Sequence, residues 1–246
     1  MNIFIVSIFP EIFHSFISTS LIKKAQEKKI LKFNFINPRD FCKDKHKQVD
    51  DTIYWWWAGM LIKAKPMIDA VESIIIKLSS WAKKFSFNSG WPNSFKILFP
   101  SPSKDIFNQK SAHKVSKIQN LIFVCWRYEG IDYRFTQYMK KKYKTKFQTI
   151  SIWQFITLWW ELPSMTMIES ITRLIPWVIK ESASWKDESY SIDRGMQNLE
   201  YPQYTRPEDV LWIKVPELLL SWYLRKIKDR KDKNTTNLSS WTKWRK

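Results

Sequence analysis

Three segments that follow short apolar stretches carry the residues best placed to bind a ligand. They read SPSKDIFNQ (Ser101–Gln109), VCWRYEGID (Val124–Asp132) and SIWQFITLWWELP (Ser151–Pro163). Each comes after an apolar run of the length and composition typical of a buried strand. In α/β sheets, ligands bind beyond the carboxyl ends of the strands. We therefore predict that the three segments converge on one pocket.

The sequence lacks the short motifs of several common enzyme classes. It contains no GxGxxG, P-loop, HExxH or GxSxG, which disfavours Rossmann-type dehydrogenases and methyltransferases. Its two cysteines, Cys42 and Cys125, cannot make a disulfide framework and fit a reducing cytoplasm. The three scattered histidines have no metal-ligand spacing. We predict no metal site from these side chains.

Tryptophan stands at positions where a turn-forming residue is expected. TIYWWWAGM (Thr52–Met60) has three in a row and TLWWELPSM (Thr157–Met165) has two, yet the chain has 15 Trp and 4 Gly. If every Trp were Gly, the glycine content would be about 8%, close to the usual value. Glycine supplies the backbone conformations with positive φ that tight turns need. We hypothesise that these positions are glycine in the native protein, encoded by UGA codons rendered as Trp. The alternative is a Trp-rich binding surface.

The elements that must position these segments alternate along the chain. Strand patterns at NIFIVSIF, LKFNFINP, FKILFP, NLIFVCW and KFQTISI alternate with helical patterns, of which the first runs from Pro10 to about Lys29. This order predicts an α/β domain with a mainly parallel sheet over residues 1–180. A polar linker is predicted at 181–199, followed by short helices from Pro207 onward.

The charge balance favours a polyanionic partner. The chain has 41 Lys and Arg against 23 Asp and Glu, a formal net charge of +18. Nucleic acid is the leading candidate, although an AT-rich genome would also enrich lysine. No stretch reaches the length of a membrane span, and the apolar start lacks the basic region of a signal peptide. We expect a soluble, cytoplasmic protein with no membrane partner.

Motifs distributed over nearly the whole chain resemble one family. In order they read SIFPEIF, PRDFCKDKH, VDDTIYWWWAGM, VCWRYEGID, LWWELPSM, YPQYTRPED and VPELLLSW. They resemble the TrmD family, the bacterial tRNA (guanine-N1)-methyltransferases of the SPOUT class. The family has glycine at ten positions that are tryptophan here: Trp55, Trp56, Trp57, Trp126, Trp153, Trp159, Trp160, Trp177, Trp212 and Trp222. The resemblance does not place Trp81, Trp91, Trp185, Trp241 and Trp244.

The resemblance implies an S-adenosylmethionine pocket within a trefoil-knotted α/β domain at 1–180, a linker at 181–199 and a small helical tRNA-binding domain at 200–246. It also implies a homodimer whose active sites are shared between subunits. The family's cofactor-binding positions correspond to Pro100, Ser101, Pro102, Trp126, Tyr128, Glu129, Gly130, Ser151, Ile152, Trp153, Gln154, Phe155, Ile156, Thr157, Trp159, Trp160 and Pro163. Gln154 departs from the family, which usually has Asp there.

The same resemblance implies catalytic and substrate-binding residues. Methylation of guanine N1 needs a base that accepts the N1 proton. Alignment of the segment SWKDESY with the family makes Glu188 the first candidate for this base and Asp187 the second. Without the family, two acids in a polar linker are ordinary solvated charge. Arg173 matches the family's catalytic arginine, although an Arg on a helix is usually a surface residue. Tyr204 and Arg206 are expected to contact RNA, and Asp50, Asp51 and Tyr54 are expected to order the guanosine or hold a magnesium ion.

Three functions follow from these observations. The first is methylation of the guanosine just 3′ of the tRNA anticodon, position 37. The second is a non-catalytic RNA-binding relative whose cofactor pocket is blocked by tryptophan. The third is a SPOUT methyltransferase with another RNA target.

Overall fold

The chain divides into two compact units, residues 1–180 and 181–246. The structure is a computed structural model and describes residues 1–54, 59–84, 94–179, 188–192, 198–221, 223, 225 and 236–237. Each unit is considered by itself.

The first unit alternates strands and helices as the sequence predicts, except between Lys32 and Ile62, where three strands follow one another without an α-helix among the described residues. Its strands are β1 (Asn2–Val6), β2 (Lys32–Ile36), β3 (Asp50–Thr52), β4 (Met60–Ile62), β5 (Phe95–Pro100), β6 (Asn120–Val124) and β7 (Phe147–Ile150). Its α-helices are α1 (His14–Ile17), α2 (Ser20–Glu27), α3 (Ala64–Lys84), α4 (Gln109–Ser116), α5 (Tyr133–Tyr143) and α6 (Glu161–Thr172).

Five of these strands form one parallel sheet in the order β2-β1-β6-β5-β7. The register pairs Ile3 with both Phe33 and Leu121, and Ile97 with both Ile122 and Phe147. The mainly parallel α/β fold predicted from the sequence is therefore confirmed. The trefoil knot stays a prediction from the resemblance.

Apolar side chains alternate between the two faces of the sheet, so both faces are buried. Phe4 and Val6 face a core completed by α3 and α5, which contribute Met67 and Phe135. On the opposite face, Ile3, Ile5 and Phe123 pack with α4 and α6. The loops that were predicted to bind the ligand follow the carboxyl ends of β5, β6 and β7.

The continuous helix predicted from Pro10 to Lys29 is wrong. A 3₁₀ turn, Pro10–Phe13, leads into α1, and α2 begins only at Ser20. Between the helices Thr19 is extended, with φ −114° and ψ 144°, and Ser20 has φ 51°. Extended backbone at Thr19 ends the helical hydrogen bonding there, although the apolar periodicity continues across the break.

The described part of the second unit contains short elements. They are β8 (Asn198–Leu199), β9 (Asp209–Val210), β10 (Ile213–Lys214), α7 (Glu217–Leu220) and β11 (Thr236–Asn237). β9 pairs antiparallel with β10, and β8 with β11. The helices predicted from Pro207 onward do not begin there, because β9 follows almost directly. Whether the remainder is helical stays a prediction, since most of 222–246 lies outside the described residues.

No helix within the described ranges is both long and apolar enough to cross a membrane.

Candidate active site

Backbone hydrogen bonds bring the three predicted loops together at the carboxyl edge of the sheet. The Ser101 amide donates to the Ile150 carbonyl at 3.0 Å, and the Phe107 amide donates to the Ser151 carbonyl at 2.7 Å. The Cys125 amide donates to the Val6 carbonyl at 2.9 Å, which aligns the second loop with the end of β1. The convergence expected from the order of the strands is thus present in the first unit.

Two indole rings fill the space between these loops. Trp126 stacks on Trp160 with ring centroids 4.5 Å apart and an interplanar angle of 17°. The Trp126 Nε1–H donates to the Pro100 carbonyl at 2.7 Å, and Trp160 is only 4% exposed. A cofactor that hydrogen-bonds to the main chain of these loops would have to occupy the space of the two indole rings and would compete for the Pro100 carbonyl. Tryptophan at positions 126 and 160 therefore does not fit S-adenosylmethionine, whereas glycine at both would leave the volume and the carbonyl open.

The backbone geometry of the WWWAGM motif requires glycine at Gly59. Gly59 has φ +113°, and a Cβ built on it would lie 2.6 Å from Cγ of Glu129. The Glu129 amide in turn donates to the Met60 carbonyl at 3.1 Å, which joins the second loop to β4. The start of β4 and a predicted cofactor residue therefore lie in direct contact.

The third loop directs much of its apolar surface to solvent within the single chain. Trp153, Phe155, Ile156 and Leu158 are all exposed. Exposed apolar side chains that form a contiguous patch mark interaction surfaces. Ser151 is buried, and its Oγ accepts from the Trp153 amide at 3.2 Å, so the loop turns sharply at its start.

Two of the family's glycine positions have left-handed backbone. Trp177 has φ 72° and Trp212 has φ 67°, a region that non-glycine residues occupy at a cost. Both side chains are exposed, Trp212 to 91%. The remaining Trp positions of the hypothesis that lie outside the described residues are Trp55, Trp56, Trp57, Trp91, Trp185, Trp222, Trp241 and Trp244.

Beneath the loops lies a buried ion pair that the sequence analysis did not identify. Glu161, the first residue of α6, is fully buried, and its Oε2 lies 3.3 Å from Nε of Arg127. The Ser7 hydroxyl donates to Glu161 Oε1 at 2.7 Å. Both charged residues stand inside motifs that were already singled out. No local pattern links the two residues, because Arg127 follows β6 and Glu161 begins α6.

The ion pair also affects the cysteine that precedes the second loop. Burial, reinforced by the negative charge of Glu161, raises the pKa of the Cys125 thiol far above its ordinary value. The thiol contacts the Ser164 hydroxyl at 3.2 Å. Cys125 is therefore a neutral packing residue.

The predicted catalytic residues are not brought to these loops within the described first unit. Arg173 caps the carboxyl end of α6, about 20 Å along the helix axis from Trp160 at 1.5 Å per residue. Glu188 belongs to the second unit, where its carbonyl accepts from the Ser191 amide at 3.1 Å. Asp187 lies outside the described residues.

Asp51 and Tyr54, two of the residues predicted to order the guanosine, line a cavity of about 630 Å³. Asp50 pairs with Ile62 across the β3–β4 ribbon, and Tyr54, 85% exposed, lines the cavity next to Asp51. Across the described ranges, no three acidic, His or Cys side chains are grouped as metal ligands. A magnesium ion at these residues stays a prediction from the resemblance.

The residues predicted to contact RNA are together in the second unit. Tyr204 and Arg206 line a cavity of about 1000 Å³, with Tyr201 and Leu219 on its wall. The helix start predicted at Pro207 is wrong, because no helix begins before Glu217 in the described part of this segment.

Known proteins that match this chain over almost its entire length belong to one family. The family described as tRNA (Guanine-1)-methyltransferase TrmD matches residues 1–244. A tRNA (guanine-N(1)-)-methyltransferase of Carboxydothermus hydrogenoformans is 40% identical over 227 residues, covering 92% of this chain and 79% of the relative. That of Metamycoplasma arthritidis is 38% identical, with 94% and 95% covered, and that of Bacillus subtilis is 35% identical, with 96% and 87% covered.

Proposed function

The chain belongs to the tRNA (guanine-1)-methyltransferase TrmD family, and we propose that it methylates N1 of guanosine 37, just 3′ of the tRNA anticodon. The match over residues 1–244 carries this proposal. S-adenosylmethionine is the methyl donor that this enzyme class implies. The convergence of the three loops at one sheet edge supports a binding site there.

The fit of the methyl donor depends on positions 126 and 160. The stacked indoles occupy the space between the loops, so the proposal includes glycine at both positions in the native protein. The positive φ of Trp177 and Trp212 supports the same substitution elsewhere in the chain. The cofactor residues proposed from the family are those of the three loops, from Pro100 to Pro163.

The chemistry at the base needs one proton acceptor and one cation. Guanine N1 is protonated in the neutral base, so a carboxylate within hydrogen-bond reach must take that proton. Glu188 is proposed for this role, with Asp187 as the alternative. Arg173 is proposed to stabilise the negative charge that develops at O6.

A homodimer is proposed because one chain does not assemble these groups in its first unit. Arg173 lies at the far end of α6 from the cofactor loops, and the exposed apolar side chains of the third loop offer a contact surface. A second copy would supply the missing arginine and the linker carboxylate. This arrangement matches the shared active site that the resemblance implies.

Substrate binding is proposed for two regions. Tyr204 and Arg206 combine an aromatic ring with a guanidinium group, a pairing suited to unstacked RNA bases. Asp50 and Tyr54 are proposed to order the guanosine, and Tyr54 lines the cavity of about 630 Å³. A magnesium requirement stays a prediction, and no step is assigned to the ion.

The test is transfer of the methyl group to a tRNA carrying guanosine 37. The Trp-containing chain is compared with a version in which the ten matched Trp residues are changed to Gly and with the pair Trp126→Gly and Trp160→Gly alone. We expect no cofactor binding by the Trp-containing chain, binding by the pair variant, and transfer by the ten-site variant. Trp177→Gly is the matched control: it removes an exposed Trp at positive φ and should leave cofactor binding absent.

Other outcomes separate the alternatives. Transfer by the Trp-containing chain would contradict the glycine hypothesis. A folded ten-site variant that binds tRNA but neither binds nor uses the cofactor would favour the non-catalytic RNA-binding relative, which the stacked indoles also suggest. Methylation mapped to another nucleotide would favour a different RNA target.

A further inference from the structure

Arg127 and Glu161 form an ion pair in the interior of the first unit. The Glu161 side chain has no exposed surface, and that of Arg127 is 13% exposed. The 3.3 Å contact between Nε and Oε2 lacks hydrogen-bond geometry, and Nη2 of Arg127 has no hydrogen-bond partner within the described ranges. Buried ion pairs are often no more stable than apolar replacements. Net stability is therefore a poor explanation for this one.

The contacts of the pair join three elements. Glu161 begins α6, Arg127 stands in the loop after β6, and Ser7 follows β1 and donates to the Glu161 carboxylate. The Phe9 amide donates to the Ser7 hydroxyl at 3.0 Å, and the Phe9 ring lies 4.6 Å from the Arg127 guanidinium carbon. Each contact fixes the orientation of one loop relative to the next.

The neighbours of the pair in sequence are the proposed cofactor residues. Trp126 and Tyr128 flank Arg127, and Trp160 precedes Glu161. A rotation of either charged side chain would shift the adjacent backbone that has to approach the cofactor. Displacements of about 1 Å at a binding group can cost on the order of 100-fold in rate.

We propose that Arg127 and Glu161 are positioning residues, which hold the second loop and the start of α6 in the arrangement that binds S-adenosylmethionine. The inference rests on the proposed function. It assigns to the pair a role in cofactor affinity that is separable from its effect on stability.

The test uses the ten-site glycine variant as parent and measures the cofactor dissociation constant, both KM values, kcat and the melting temperature. Glu161→Gln keeps the shape and the Ser7 contact but removes the charge. We expect it to raise the dissociation constant and KM for S-adenosylmethionine about 10-fold or more, with KM for tRNA unchanged. Arg127→Lys should recover most of the affinity that Arg127→Met loses.

The double variant Arg127→Met with Glu161→Met separates positioning from packing. It should restore the melting temperature toward that of the parent, because it leaves no unpaired buried charge. The affinity for S-adenosylmethionine should nevertheless stay low. Recovery of both quantities would overturn the proposal, since the pair would then only fill the core.

Glu72→Gln is the matched control. The Glu72 carboxylate accepts from Tyr138, Lys142 and Tyr143 between α3 and α5, away from the cofactor loops. Glu72→Gln should lower the melting temperature without changing the affinity for S-adenosylmethionine. An equal loss of affinity in this control would also contradict the proposal. A parent that binds the cofactor without transferring methyl would contradict the proposed function and leave the affinity comparison intact.

Discussion

Glu188 and Asp187 are adjacent in sequence at a point where the proposed reaction needs a single base. We expect Glu188→Gln to lower the single-turnover rate of the ten-site variant by about 100-fold or more, the usual contribution of a general base. Asp187→Asn should change it little. The measurement is made at saturating tRNA and S-adenosylmethionine. The opposite ranking would assign the base to Asp187, and small losses in both variants would contradict a carboxylate base at either position.

Single residues also show what the sequence could and could not predict. Position 160 was identified because a bulky residue stood where a turn residue was expected, and position 126 because the family has glycine there. Both indoles lie in the proposed site. The Arg127–Glu161 pair was not identified, because its partners are separated by 34 positions and only the packed sheet brings them together. Local patterns carry no information about such a contact.

At the scale of elements, the strands were the easier prediction. β1 and β6 are apolar after an initial Asn, and β5 is apolar and buried after Lys96, as expected for parallel strands covered on both faces. The break between α1 and α2 was missed because periodicity reports which face is buried and does not detect one extended residue, Thr19. The position of Arg173 at the carboxyl end of α6 could not be predicted, because the residue at which a helix ends is not fixed by its periodicity.

The contact between α3 and α5 makes stability depend on pH. Burial alone would raise the pKa of Glu72, but hydrogen bonds from Lys142, Tyr143 and Tyr138 lower it below its usual value. A lowered carboxyl pKa stabilises the fold above the unfolded-state pKa, and this stability is lost as the pH falls through the folded-state pKa. We expect Glu72→Gln to cost about 1–3 kcal/mol at pH 7, and the cost to shrink toward pH 3.

Urea denaturation of the Trp-containing chain and its Glu72→Gln variant at pH 7, 5 and 3 measures this difference. Asp69→Asn on the same helix is the control, because Asp69 pairs with Lys65 on the surface. It should change the free energy of unfolding by less than about 1 kcal/mol at every pH. A cost for Glu72→Gln that did not decrease in acid would contradict the assignment to the carboxylate.

At the scale of the whole molecule, the charge is concentrated toward the end of the sequence. Residues 223–246 contain nine Lys and Arg against two Asp. If this segment binds tRNA phosphates, its neutralisation should reduce the slope of log K against log salt by about 0.7–0.9 for each phosphate that is no longer paired with a cation. We predict that replacing these nine residues with Gln reduces the slope by at least about two.

The binding series is measured from 50 to 200 mM salt, with Asp229→Asn and Asp232→Asn as the control in the same segment. The control should leave the slope unchanged or raise it slightly. An unchanged slope in the Gln variant would show that the net charge of +18 reflects composition and not RNA contact.

The placement of β1 in the sheet has a consequence for synthesis on the ribosome. β1 lies between β2 and β6, and its Asn2 pairs with Asn120. At about 5–20 residues per second, on the order of ten seconds pass between translation of the two strands. During that interval Ile3, Phe4 and Ile5 of β1 can pair with β2, but β6, the strand on the other side of β1, has not yet been made. A nascent chain at this stage exposes the kind of strand edge that chaperones cover and that aggregates recruit.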